Sequence, residues 1–304
     1  MGAIAEKLTD QRIADKLRAA GLDPDHVVRL ARATVEEDLG GGVDVTSEAT
    51  VSADARSIAD YTARKPGVAS GIYVAAAVID LVSGGDVEFE FPLEDGARVD
   101  AGTVLFTAHA RTRALLTAER SALNLLCHMS GIATITRQWV DAVVGTGAKI
   151  RDTRKTTPGL RLIEKYAVRC GGGVNHRMFL SDAALVKDNH VIAAGGVVEA
   201  FAAVREHYPE LPVEVEVDTL EQLLPVVEAG AELILLDNFT PERMRAAVML
   251  VGRNEPYGRT RLEASGGLTL DQARAVAETG VDYISVGGLT HSAAILDVGC
   301  DFRD

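Results

Sequence analysis

The chain has 304 residues, with 31 Lys and Arg against 44 Asp and Glu, a formal charge of −13. Such a surface repels a polyanion, which argues against a nucleic-acid partner. At 47% apolar and 5% aromatic, the composition suits small helices packed on parallel strands, in one large domain or two ordinary ones.

Cys127, Cys170 and Cys300 are far apart and form no ligand motif, as expected of reduced thiols in a cytoplasmic protein. No secretory signal is read, and the most apolar helix is interrupted by Glu119 and Arg120, so no membrane span is expected. Met-Gly is followed at position 6 by Glu, which argues against myristoylation.

Residues 9–20 and 24–39 read as amphipathic helices, the second opened by Asp23-Pro24 and closed by Gly40-Gly41-Gly42. Ser57–Lys65 reads as a strand ending at Pro66-Gly67, Ile72–Val82 as a helix and Val87–Phe91 as a strand. Residues 92–108 have the look of a hairpin from a lipoyl or biotinyl carrier, but they hold no Lys to take a prosthetic group, so plain structure is expected. Residues 111–144 read as one long apolar helix, or two with a break near Gly131. Inside that helix Arg120 is either paired with a local acid or exported to an anion site, with a neighbouring subunit as one destination.

From residue 147 strands and helices alternate. Strands at Ala148–Asp152, Ala184–Asp188, Val213–Asp218, Leu233–Asn238 and Arg261–Ser265 are followed by helices at 158–170, 192–207, 219–229, 241–252 and 269–279, with a last strand at Tyr283–Val286. Six strands spaced this way predict a parallel βα array, either a barrel with fewer than eight strands or an open sheet.

The array contains a charge anomaly. Between Arg151 and Lys187 stand eight Lys or Arg and three acids, a local charge of +5, so the remainder of the chain sums to −18. A basic island in an acidic protein suits a small anion.

Ligands of βα arrays gather at the carboxyl ends of the strands. Those ends carry Asp152-Thr153-Arg154-Lys155, Lys187-Asp188-Asn189, Glu214 with Glu216 and Asp218, Asp237-Asn238, Ser265-Gly266-Gly267, and Val286-Gly287-Gly288. Arg154 and Lys155 form either a solvated turn or an anion site, and Lys187 is either the partner of Asp188 or a ligand group. Glu214, Glu216 and Asp218 alternate in phase and face one way, which suits sugar hydroxyls or a metal. The two glycine pairs resemble a phosphate cradle, since small residues let backbone N–H groups close on phosphate oxygens. His176, beside Arg177 after Gly171-Gly172-Gly173, is of a kind more often structural, and no histidines have zinc spacing. Neither a Walker A loop nor a strand-following GxGxxG is present, which disfavours nucleotide hydrolysis and hydride transfer.

Eight segments in this order carry a resemblance over nearly the whole chain. They are Asp38-Leu39-Gly40 with Asp44-Val45-Thr46-Ser47, Ala118–Leu126, Asp152–Arg161, Gly171–Arg177, Lys187–His190, Glu214–Asp218, Leu235–Asn238 and Glu263–Gly267. The sequence resembles the quinolinate phosphoribosyltransferases of NAD biosynthesis, with a variable first ten residues and a small insertion at 251–262.

The resemblance implies an α/β fold. An N-terminal α/β sandwich domain (1–118) is completed by the C-terminal tail (291–304), and residues 119–290 form an incomplete parallel α/β barrel of fewer than eight strands. It also implies a cytoplasmic homodimer in which Arg120 reaches the partner's active site. The reaction implied joins quinolinate and 5-phosphoribosyl-1-pyrophosphate (PRPP) with decarboxylation. The alternatives are a paralogue acting on another pyridine or azole acid and a non-catalytic anion-binding relative. Quinolinate would be held by Arg120, Thr153, Arg154, His176, Arg177 and Lys187. PRPP would be held by Lys155, Glu216, Asp237, Ser265, Gly266, Gly267, Val286, Gly287 and Gly288, of which Lys155, Glu216 and Asp237 are implied to be catalytic. Mg2+ would enter mainly through PRPP, with Glu216 and Asp237 as protein carboxylates beside it.

Overall fold

The computed structural model describes residues 4–252 and 260–303. The first three residues of the variable start, and residues 253–259 of the insertion read at 251–262, lie outside the described residues. Two compact units emerge: Met1–Ile135 with Leu162–Gly172 and Ser292–Asp304, and Thr136–Arg161 with Gly173–His291.

The first unit is built on an antiparallel sheet of β1 (Arg56–Ala63), β3 (Val87–Glu90), β5 (Val104–Arg111) and β12 (Val298–Phe302), in the order β12-β1-β5-β3. Tyr61 and Phe106 face each other across β1 and β5 with their rings stacked at 4.2 Å, a cross-strand pair that fixes the register. Helices α1 (Gln11–Ala19), α2 (Pro24–Leu39) and α4 (Ile72–Ser83) join this sheet. α4 is buried from Ile72 to Leu81 because α1, α2, β3 and β5 all pack on it, which explains why its apolar residues run all the way round. The short α3 (Val45–Thr50) escapes a periodicity reading through its length; the Asp44 carboxylate caps it by accepting from Ser47 N at 3.0 Å.

Two segments differ from their sequence reading. Residues 92–108 are not a self-contained hairpin. β4 (Arg98–Val99) pairs with β2 (Gly67–Val68), while β5 pairs with β1 and β3, so the segment links two sheets. The apolar stretch from 111 forms one helix, α5 (Thr112–Ala142), with no break at Gly131. That glycine serves packing: an added Cβ would overlap the Ala294 carbonyl and stand 2.9 Å from Ile295 Cα.

The second unit carries six parallel strands: β6 (Lys149–Arg151), β7 (Ala184–Val186), β8 (Val213–Val217), β9 (Leu233–Asp237), β10 (Arg261–Ser265) and β11 (Tyr283–Ser285). Their order is β6-β11-β10-β9-β8-β7, the circular order of a barrel, with an isolated parallel bridge from Arg151 to Val174 beside β6 and no ladder between β6 and β7. The helices of the array are α6 (Arg161–Cys170), which falls in the first unit from Leu162 on, and α7 (Asp188–Ala194), α8 (Val197–His207), α9 (Leu220–Glu228), α10 (Pro241–Gly252), α11 (Ala273–Ala277) and α12 (Gly288–His291) in the second. The helix expected at 192–207 is split, since Gly195 at φ +85° caps α7 in the left-handed region. The one expected at 269–279 is a 3-10 turn, Leu270–Gln272, followed by α11. Among the described residues no helix is long and apolar enough to cross a membrane.

Candidate active site

The basic island is not one surface. Arg151 is drawn inside the barrel against Glu263, Arg161 donates to Thr156 Oγ1 and the Met178 carbonyl, Arg169 donates to the Ala20 carbonyl, and Lys165 is buried. Arg154, Lys155, Arg177 and Lys187 remain at or near the carboxyl ends of the strands.

The turn after β6 is set by its own short contacts. Thr153 Oγ1 accepts from Lys155 N at 3.0 Å, and the Lys155 carbonyl accepts from Thr290 Oγ1 at 2.7 Å. This second bond ties the β6 turn to α12, which follows the last strand. Val286 is buried, and Gly287 lets the two turns approach: a Cβ there would lie 3.1 Å from Lys155 Cδ, 3.4 Å from His291 Nε2 and 3.6 Å from Thr153 Oγ1. Gly288 opens α12 with free space where its Cβ would stand. The structure thus brings His291 to the same corner, a residue to which sequence reasoning gave no role.

A second corner holds the acids. Lys187 follows β7, and its Nζ lies 3.6 Å from Glu216 Oε2 on β8. Burial raises the Glu216 carboxyl, with Lys187 opposing and Asp237 adding to the rise. Asp237 ends β9 and is raised by burial and then by Asp218, while Lys187 and Lys155 pull it down. Two carboxylates on neighbouring strands are therefore crowded, with two lysines placed to moderate them. Asn238 takes φ +54°, donates its side-chain N–H to Asp237 Oδ2 at 2.7 Å and its backbone N–H to the Ser265 carbonyl at 3.0 Å. Gly266, at φ +106°, must be glycine because a Cβ would sit 2.9 Å from Asn238 N and overlap that side chain; Gly267 opens onto free space. Ser265, Gly266 and Gly267 thus form a tight turn against the Asp237 end.

The third corner carries the arginines. Arg177 is held by its Nη1 donating to the Ala183 carbonyl at 2.8 Å, and it is lowered by burial and by the nearby charge of Arg154. Arg154 Nε is buried without a hydrogen-bond partner. Two guanidinium groups that repel each other make a place for an anion with more than one negative oxygen.

Below these ends, charged side chains fill the barrel interior. Glu214, Glu216 and Asp218, expected to face one way, differ in exposure along and just past β8: Glu214 is buried, Glu216 half-buried and Asp218 exposed, and Asp218 adds to the rise at Asp237. Glu214 Oε2 lies 2.9 Å from His176 Nε2, and Glu263 Oε2 accepts from Arg151 Nη1 at 2.5 Å. Burial pushes both carboxyls up to about 7, with Arg151 opposing the rise in each. The His176 ring is thus a buried group and not one open at the strand ends. Arg120 stands on α5 in the first unit, 62% exposed and 3.9 Å from Glu119, too far for that acid to hold it by a hydrogen bond.

Fold and site together define a class: a two-unit α/β protein whose incomplete parallel barrel sets cations and carboxylates side by side at its strand ends. Comparison with known proteins then gives the family. The profile of the quinolinate phosphoribosyl transferase C-terminal domain matches residues 132–301, and that of the N-terminal domain residues 44–130. A nicotinate-nucleotide pyrophosphorylase [carboxylating] of Mycobacterium leprae is 55% identical over 271 residues, 89% of this chain and 95% of that protein. A quinolinate phosphoribosyltransferase [decarboxylating] of Nicotiana tabacum is 36% identical over 98% of this chain and 88% of its own length. The solved structure of the nicotinate-nucleotide pyrophosphorylase from Francisella tularensis superposes with a TM-score of 0.86 at 36% identity, covering 92% of this chain and 96% of that one. The chain belongs to the quinolinate phosphoribosyl transferase family.

Proposed function

We propose that this chain transfers phosphoribosyl from PRPP to quinolinate with loss of CO2, giving nicotinate mononucleotide and pyrophosphate for NAD biosynthesis. The observation that carries this reading is the Arg154–Arg177 corner, where like charges stand together beside the acids that a sugar phosphate requires. Quinolinate has two adjacent carboxylates. Arg154, Arg177 and Lys187, with Thr153 at the same strand end, meet them, and Arg120 of the partner subunit completes the set in a homodimer. The exposure of Arg120 and its distance from Glu119 support that use.

The glycine pairs 266–267 and 287–288, with Ser265 and Val286, receive the 5′-phosphate through backbone N–H groups. Lys155 faces the pyrophosphate, while Glu216 and Asp237 face the ribose hydroxyls. As the C1′–O bond breaks, positive charge grows on the ribose; the two carboxylates stabilise it and Lys155 stabilises the leaving group. The pyridine nitrogen then attacks C1′, and when the 2-carboxylate leaves as CO2 the electron pair left at C2 is stabilised by the adjacent positive nitrogen until C2 takes a proton from solvent. No side chain forms a covalent bond, so the arginines act by fixing the ring nitrogen in line with C1′.

The crowded pair Glu216 and Asp237 offers hard oxygen donors of raised pKa, which fits Mg2+ brought in on PRPP. When bound there, the ion neutralises the pyrophosphate. Three free cysteines fit the reducing cytoplasm.

The test is CO2 release from carboxyl-labelled quinolinate with PRPP and Mg2+, beside a nicotinate control. Release requiring both substrates, with no turnover of nicotinate, is expected; binding of a pyridine acid without release would overturn the assignment.

A further inference from the structure

We propose that Arg151, Glu214 and Glu263 are positioning residues for this reaction: they hold the His176 imidazole as its neutral Nε2–H tautomer and, through its Nδ1, fix the backbone from which Arg177 projects. The inference rests on the quinolinate reading above for its effect on turnover, while the tautomer itself does not depend on that reading.

The ring's own contacts set its protonation. Arg177 N–H donates to His176 Nδ1 at 2.7 Å, so Nδ1 is an acceptor and carries no proton. The ring proton therefore sits on Nε2, which lies 2.9 Å from Glu214 Oε2 and 3.7 Å from Glu263 Oε1. An imidazolium or an Nδ1–H tautomer would leave the Arg177 N–H facing another N–H. His176 is thus a neutral strut, not a further cation for the substrate's carboxylates.

The acids are held in turn. The Arg151 guanidinium bonds Glu263 at 2.5 Å, lies 4.0 Å from Glu214 and stacks 4.7 Å from the centre of the Tyr283 ring. Arg151, Glu214 and Glu263 come from β6, β8 and β10, so three separate strands converge on one imidazole. Asp152 adds a fourth hold by accepting His176 N at 2.8 Å and Asn175 Nδ2 at 2.5 Å.

The place of this cluster explains its need. Residues 174–177 run beside the gap between β6 and β7, where an isolated bridge stands in for a ladder. Backbone bonds tie Val174 to Ile150 and Asp152, and side chains hold residues 175–177 beyond that bridge. A buried ionic cluster is a poor device for stability alone, because apolar residues of similar volume often do as well or better. His176, Glu214 and Glu263 also have the ligand spacing of a metal site, their donor atoms all lying within 4.8 Å of one another. Arg151 already supplies the cationic partner at Glu263, and charge balance favours the guanidinium over a divalent ion.

Two measurements test this on the full-length enzyme. The first is the 15N spectrum of the His176 ring near neutral pH, with the resonance identified by its loss in His176→Asn. The Nε2–H pattern is expected; an imidazolium, an Nδ1–H pattern, or shifts that move on treatment with a strong chelator would overturn the proposal. The second is steady-state kinetics of Glu263→Gln and Glu214→Gln. A rise of about tenfold or more in quinolinate KM, as for lost supports of a ligating group, with PRPP KM unchanged, is expected. Unchanged quinolinate KM, or equal rises for both substrates, would overturn it. If neither variant folds, the ring spectrum of the unmodified enzyme still decides the matter, and it does so even if quinolinate proves not to be the acid.

Discussion

Arg177 and Lys187 carry the same formal charge but do different work. Arg177 offers a planar fork, which a lysine cannot reproduce at a carboxylate. Arg177→Lys should therefore raise quinolinate KM by roughly tenfold or more while PRPP KM stays put, measured by the CO2 assay at varied quinolinate. A separate expectation concerns pH. The Glu263 carboxyl, pushed up to about 7 by burial and then by Glu214, keeps its proton in the folded chain after the unfolded chain, at its ordinary 4.5, has released it. The folded state thus binds more protons between those values, and stability falls as pH rises through that window. Glu263→Gln should flatten this fall, read as the urea midpoint at about pH 5 and about pH 8. Strand-end groups such as Lys155, Lys187, Glu216 and Asp237 were legible as candidates because a βα pattern says where its strands end. Arg151, Glu214 and Glu263 were not legible as a unit, since three strands far apart in sequence must converge before their charges meet. A signal was nevertheless present: Glu263 lies in the buried run of β10, where a charge must have a partner.

The lesson differs for elements. The six-strand array was readable because apolar runs ending in polar residues recur at regular spacing, whereas helix interruptions depended on single backbone angles. Gly195 splits the 192–207 segment through its left-handed φ, and Gly131, which looked like a break, lies inside a continuous helix. At Gly131 the need is room for the 294–295 backbone, a contact invisible to local pattern. Gly131→Ala should lower stability by about 1–3 kcal/mol, seen as a reduced urea midpoint. Gly266→Ala joins an unsuitable φ to a collision with Asn238, so it should weaken PRPP binding as well as stability. Isothermal titration with PRPP and Mg2+ separates the two effects.

For the whole molecule, composition and alternation indicated an α/β protein with a parallel array, while the antiparallel sheet of the first unit drew on strands too short or too distant to pair by inspection. The proposed dimer makes a prediction at this scale. Arg120→Ala and Lys155→Ala should each be nearly inactive alone, yet unfolding and refolding them together should restore turnover, because a mixed pair contains one site with both side chains intact. Failure of the mixture to regain CO2 release would remove Arg120 from the partner's site.

The β12–β1 pairing has a consequence for synthesis. Phe302 lies opposite Ala59, so the first unit's sheet receives this edge strand only after the barrel has been made. Between β5 and β12 the ribosome must make the whole barrel, on the order of ten to forty seconds of translation. During that interval β1 presents an unpaired edge to the crowded cell, and nascent chains are open there to mispairing with one another. A trigger-type chaperone that shields β1 until β12 emerges would therefore raise the yield of folded protein without touching the finished enzyme.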